Sequence, residues 1–264
     1  MELGLTGKNA LVCAGSKGLG LAIAKRLYAE GANLAICARD MGALDLAAAD
    51  IASFAGRTTR PEIFAIDLSV PEGLPQFLAD VQTKFGGVDI LVNNVGGPPP
   101  SSAEMTSYEA WTAGFNQIFL SAVLLTQRVI PHMKQKMWGR VITVTSLSVL
   151  EPIDHLVVST TMRTAVTAYM KTLSKEVAPF GVTANTVLPG VIHTERIVNL
   201  RMAKATRDGT TLDEEIAKTA KSIPTGRLGR PEELADLVAF LASANASYIT
   251  GANIPVDGGL RHSW

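Results

Sequence analysis

Two cysteines in 264 residues cannot staple a small secreted scaffold, and the four scattered histidines show no ligand spacing. Neither a disulfide framework nor a catalytic metal is therefore expected. Cys13 and Cys37 each lie within an apolar run and are read as small core residues. Net charge is missing as well: Lys+Arg and Asp+Glu both number 24, which leaves no global field to gather nucleic acid or an anionic membrane. No apolar run approaches the roughly 20 residues of a membrane span. The opening residues have no basic segment followed by an apolar one, so a cytoplasmic protein is expected. Charged residues are scarce at 18% against 47% hydrophobic, which argues for a large buried core and against disorder.

What the chain does have is alternation. Short apolar runs at 9–14, 33–38, 62–66, 88–92, 141–145, 182–188 and 252–256 read as seven buried strands. Helix-period segments at 18–30, 41–54, 71–85, 108–137, 156–179 and 231–242 separate most of them. Strands that are apolar nearly throughout, alternating with helices, predict a doubly wound α/β Rossmann fold: a seven-stranded parallel sheet with helices on both faces. A single dinucleotide-binding domain over 1–264 is expected, with the polar stretch 195–222 as a helical flap on the substrate side.

Directly after the first strand, Ala14-Gly15-Ser16-Lys17-Gly18-Leu19-Gly20 reads as a Gly-x-x-x-Gly-x-Gly turn opening a helix. Glycines let the backbone approach a pyrophosphate, and the helix start offers free N–H groups and partial positive charge. At the end of the second strand, where an acid would grip a ribose 2′-hydroxyl, stand Cys37, Ala38 and Arg39. Arg39 and Lys17 favour a 2′-phosphate, so NADP(H) is preferred and NAD(H) is the alternative.

These features, with Asp67-Leu68 after the third strand, Asn93-Asn94-Val95-Gly96 after the fourth, Pro189-Gly190-Val191-Ile192-His193-Thr194 after the sixth, and Tyr248-Ile249-Thr250-Gly251 with Val256-Asp257-Gly258-Gly259 near the end, resemble the short-chain dehydrogenase/reductase family along essentially the whole length. The likeness is to its 3-oxoacyl-carrier-protein reductase-like branch. The resemblance implies cofactor contacts from Gly15, Ser16, Lys17, Gly18, Leu19, Gly20, Arg39, Asp67, Leu68, Asn93, Val95, Gly96, Arg163, Pro189, Gly190, Ile192 and Thr194. It also implies hydride transfer at a nicotinamide, with a Tyr as proton donor, a Lys four residues later, a carbonyl-polarising Ser and a water-holding Asn.

Here the match breaks. Ser146 stands at the end of the fifth strand, but thirteen residues on the Tyr position holds Ser159, and the Lys position holds Arg163. None of Tyr28, Tyr108, Tyr169 and Tyr248 is followed by Lys four residues later. Tyr169 lies roughly 15 Å along the helix from Ser159 at 1.5 Å per residue, too far to substitute. The Asn position falls on Ile118, with Asn116 facing elsewhere. Ser146, Ser159 and Arg163 are the candidate catalytic residues. Ser159 and Arg163 share a helix face and should both point toward the cofactor, with Arg163 hydrogen-bonding the ribose. A serine hydroxyl is a far weaker acid than a phenol, so Ser159 would need a bridging water or an acidic substrate. His193 and His155 are further acid–base candidates.

Three functions follow from this pattern. The first is an NADP(H)-dependent oxidoreductase acting on a small carbonyl or alcohol by a non-standard proton route. The second is a non-catalytic nucleotide-binding sensor or assembly protein. The third is a lyase or isomerase on the same fold. The long segments 108–137 and 156–179 carry apolar residues on more than one face, for example Val123, Leu124, Leu125 and Val129. A homodimer or homotetramer built on a four-helix contact is expected.

Overall fold

The computed structural model describes residues 2–262, so Met1, Ser263 and Trp264 of the expected 1–264 domain lie outside the described residues. Seven strands form one all-parallel sheet in the order β3-β2-β1-β4-β5-β6-β7. In chain order these are β1 (Asn9–Cys13), β2 (Asn33–Ala38), β3 (Glu62–Ala65), β4 (Ile90–Asn93), β5 (Gly139–Val144), β6 (Val182–Pro189) and β7 (Asn253–Val256). The helices between them are α1 (Gly18–Ala29), α2 (Met41–Phe54), α3 (Leu74–Phe85), α4 (Tyr108–Gly114), α5 (Ser121–Gln135), α6 (Val157–Val177), α7 (Glu195–Asp208), α8 (Leu212–Lys221) and α9 (Pro231–Ala242).

Both sheet faces are covered, which is why the central strands carry no polar alternation. Leu27 and Ile23 of α1, Ile51 of α2 and Val238 of α9 pack on one face. Val81 of α3, Leu125 of α5 and Val166 of α6 pack on the other. Cys13 and Cys37 are paired in register on β1 and β2, both fully buried and both free. The direction in which successive strands are added reverses at the β1–β4 boundary, which opens a crevice at the strands' carboxyl ends.

Two expectations need correction. The 108–137 segment is not one α-helix: α4 and α5 are separated by a π-helical turn at Phe115–Leu120. One extra residue per turn leaves no compositional trace, so periodicity alone could not show it. Leu125 and Val129 are buried within the chain's own core, and of the four apolar residues named for a subunit contact only Val123 and Leu124 keep exposed surface. The flap is two helices, α7 and α8, turned about Gly209 at φ +69° and restarted by a capping box between Thr211 and Glu214. No helix among the described residues is long and apolar enough to cross a membrane.

Candidate active site

The glycine turn is where the sequence reading requires its sharpest revision. Gly15 and Gly18 are separated by two residues, so the first position of a Gly-x-x-x-Gly-x-Gly pattern is held by Ala14. Ala14 adopts φ +48°, the left-handed conformation that glycine would take without strain, at a cost of about 1 kcal/mol. Gly18 is favoured by its φ of +58°, and Gly15 and Gly20 are enforced by contact. A Cβ on Gly20 would lie 2.1 Å from the Ala14 carbonyl oxygen, and one on Gly15 would lie 2.8 Å from Ile36. Lys17 at the α1 N-cap makes no side-chain capping bond, so the first-turn N–H groups face the crevice without an internal acceptor from that side chain. This cradle fits a dinucleotide's phosphates.

Around it the other strand ends converge. Asp67 follows β3, and its Oδ1 accepts from Ser69 N at 2.9 Å and Ser69 Oγ at 2.7 Å. Those bonds, and more weakly the Arg39 charge, hold its carboxyl below the usual range. Arg39 is exposed and forms no ion pair among the described residues. Lys17 is engaged: its Nζ lies 3.1 Å from Glu195 Oε2 on the flap. Leu68 is buried at the edge of a small cavity of about 10 Å³, which Cys13, Asn93, Ile118 and Arg163 also line. Asn93 is buried, with Nδ2 donating to Thr126 Oγ1 at 3.0 Å, so its side chain supports α5 from beneath. Asn94 Nδ2 donates to the Cys13 carbonyl and ties β4 to β1. Val95 and Gly96 begin the loop beyond β4.

Above the turn sits the segment after β6. Gly190 N bonds the Val256 carbonyl at 3.0 Å, and a Cβ there would meet the Asp257 backbone at 2.8 Å. Pro189 closes the strand, Ile192 is buried and bridges Gly229, and Thr194 caps α7. The Thr194 methyl would be 3.8 Å from a Cβ on Gly18, so the start of the flap lies directly over the phosphate cradle.

At the reacting end, Ser146 is half-buried, and its Oγ accepts from Ser148 N at 3.1 Å. That bond fixes the oxygen and leaves the hydroxyl hydrogen free to donate. Ser159 and Arg163 are both buried on α6, and Arg163 Nε donates to Ser159 Oγ at 3.1 Å. The rest of the guanidinium faces backbone: Nη1 donates to the Val144 and Thr145 carbonyls at 3.0 Å each, and Nη2 to the Val95 carbonyl at 3.2 Å. Four of its five N–H groups are thus taken by protein acceptors, and one remains for a ribose. Burial pulls Arg163 down to about 10, with the nearby Arg196 charge adding to the effect; it stays cationic at neutral pH. Ile118, on the π-turn, is buried on the wall of the same cavity, while Asn116 is outside its lining.

The other acid–base candidates sit apart. His155 is exposed in a left-handed conformation at φ +61°, and His193 is exposed in the loop before α7. His132 lies 3.1 Å from Asp89 at the opposite end of the sheet. Tyr169 is pushed up to about 12 by burial and by Glu176. His262 folds back so that its backbone N bonds Glu151 at 2.8 Å.

One residue escaped the sequence reading. Arg196, in the first turn of α7, donates from Nη1 to the Gly97 carbonyl at 2.9 Å and from Nη2 to the Pro98 carbonyl at 3.3 Å. The available signal was its place two residues after Thr194, at the head of a flap otherwise read as featureless. The loop beyond β4 thus presents, at Gly97 and Pro98, the carbonyls that seat this guanidinium.

A family model described as enoyl-(acyl carrier protein) reductase matches residues 13–261. The chain is 34% identical over 256 residues to a D-beta-hydroxybutyrate dehydrogenase of Cupriavidus necator, covering 97% of this chain and 98% of that one. It is 34% identical over 258 residues to a 3-oxoacyl-acyl-carrier-protein reductase of Vibrio cholerae, covering 98% and 99%. The crystal structure of an L-sorbose reductase from Gluconobacter frateurii, complexed with NADPH and L-sorbose, superposes with a TM-score of 0.95 at 30% identity and 100% coverage of both chains.

Proposed function

The chain belongs to the short-chain dehydrogenase/reductase family and is an oxidoreductase of that type; from this premise we propose that it uses NADP(H) to interconvert a small carbonyl compound and its alcohol, by a proton route without the usual Tyr and Lys. The observation that carries the reading is Ser146: an oxygen pinned by Ser148 N with its hydrogen free, at the carboxyl edge of the sheet beside the Ser159–Arg163 pair. Relatives named for β-hydroxybutyrate, 3-oxoacyl carriers and L-sorbose share a substrate that is, or becomes, a secondary alcohol.

A bound nicotinamide supplies or accepts the hydride. The chain's part is to hold the carbonyl and manage the proton. Ser146 Oγ–H donates to the carbonyl oxygen and stabilises the negative charge that develops there. Ser159 Oγ relays a proton that solvent supplies: it gives its hydrogen to that oxygen through one water as it takes another from solvent, its own oxygen held by Arg163 Nε. Arg163, charged throughout, offers its remaining N–H to the ribose and lends electrostatic support without exchanging a proton.

The test pairs binding with turnover. NADPH and NADH are titrated by fluorescence, and β-ketoesters, quinones and aldehydes are then screened for loss of reduced coenzyme. Binding with no turnover across the panel would favour the sensor reading; no binding of either coenzyme would sink this one.

The cation arrangement also predicts selectivity. Arg39→Ala removes the unpaired guanidinium at the end of β2 and is expected to weaken NADPH about tenfold while leaving NADH within twofold. Equal loss for both coenzymes, read from parallel titrations, would remove Arg39 from the 2′-phosphate site.

A further inference from the structure

Two guanidinium groups dock on one short stretch of backbone. Arg163 holds the Val95 carbonyl, and Arg196 holds those of Gly97 and Pro98. Like charges this close repel, and no carboxylate pairs with either among the described residues. Glu195, adjacent to Arg196 in sequence, is turned away to Lys17. The structure goes further and makes room for the second cation: a Cβ on Gly97 would sit 2.5 Å from Arg196 Nη2. Two of five N–H groups on Arg196 are used by carbonyls, which leaves three on a side chain that keeps an exposed edge.

We propose that this exposed edge of Arg196, seated on Gly97 and Pro98 beside Arg163, receives the carboxylate of the substrate, which makes the substrate an oxo acid or hydroxy acid. The inference rests on the oxidoreductase reading given above and narrows its substrate class. A guanidinium fork matches a carboxylate's two oxygens, and the pair is strongest where water is partly excluded. Carbonyl docking on one side fixes the fork's plane, so little freedom is lost when the anion arrives. The dinucleotide's own phosphates have a seat at the glycine turn, where Gly15 and Gly20 let the backbone approach. Arg163, with one N–H left, adds field rather than a second fork. Partial burial lowers the Arg196 pKa, an effect that a bound anion opposes.

The experiment uses a non-reacting matched pair, butanoate and methyl butanoate, titrated calorimetrically into the full-length protein with and without NADPH. Wild type is expected to bind the acid about 10- to 100-fold more tightly than the ester, the range for a charge-assisted hydrogen-bonded pair. Arg196→Met deletes the fork; Gly97→Ala keeps the charge but displaces it. Both should abolish the preference for the acid, while Arg196→Lys should restore part of it. NADPH affinity should stay within twofold in all three. Equal affinity for acid and ester, or a preference that survives both Arg196→Met and Gly97→Ala, overturns the proposal. So does tighter binding of inorganic phosphate than of butanoate at the same site, which would make the ligand a phosphate ester. Should NADPH fail to bind, the oxidoreductase reading falls, while the titration without coenzyme still decides this one.

Discussion

Arg163→Met is expected to lower the melting temperature by roughly 10 °C, because it removes the donor shared by three strand-end carbonyls. Two effects oppose each other. Burial pulls the guanidinium well below its ordinary value, to about 10, a penalty of about 3 kcal/mol that methionine would relieve. Against it, the carbonyls of Val144, Thr145 and Val95 each lose a charged donor, at about 1–3 kcal/mol apiece, and Ser159 Oγ loses its partner as well. The orphaned acceptors win by about 3 kcal/mol, which for a chain of this size is roughly 10 °C. Arg163→Lys should fall between, since an ammonium has three donors but no planar fork. Thermal scans of the three proteins read this directly. A melting temperature of Arg163→Met within 2 °C of wild type would show that solvent satisfies these carbonyls without the guanidinium.

Ser146→Ala should reduce kcat about 100- to 1,000-fold, with NADPH affinity unchanged and the melting temperature within a degree or two. That is the ordinary loss when one donor to a developing oxyanion is deleted. Ser148 cannot step in, because its hydroxyl is buried. Ser148→Ala is therefore the internal control, with kcat within threefold of wild type. Single-turnover mixing with saturating NADPH separates the chemical step from product release. If Ser146→Ala keeps more than a tenth of wild-type kcat, the carbonyl is polarised by another group.

Much of this molecule could be read before it was seen, and the failures have physical causes. The strands were legible because both faces of a covered parallel sheet demand apolar residues: Ala10 to Cys13 and Leu34 to Cys37 are all buried. Their convergence followed from the doubly wound arrangement, which puts Asp67, Val95, Ser146 and Thr194 along one edge. The glycine turn was recognised but misaligned by one position. Ala14 carries a positive φ despite its methyl group, and a strained residue gives no hint of its conformation in sequence. Arg163 was identified by spacing, yet its partners could not be, because backbone carbonyls belong to every residue type. Arg196 was hidden for the same reason: its seat is formed by the carbonyls of a glycine and a proline from another loop.

The ion pair between Lys17 and Glu195 bears on how the flap is held. Together with Thr194 over Gly18, it ties the head of the flap to the phosphate cradle. Phosphates settling there compete with Glu195 for the Lys17 cation. With 75% and 62% of its two side chains exposed, the pair is a light latch that salt screens, so the head of the flap yields to an incoming anion at little cost.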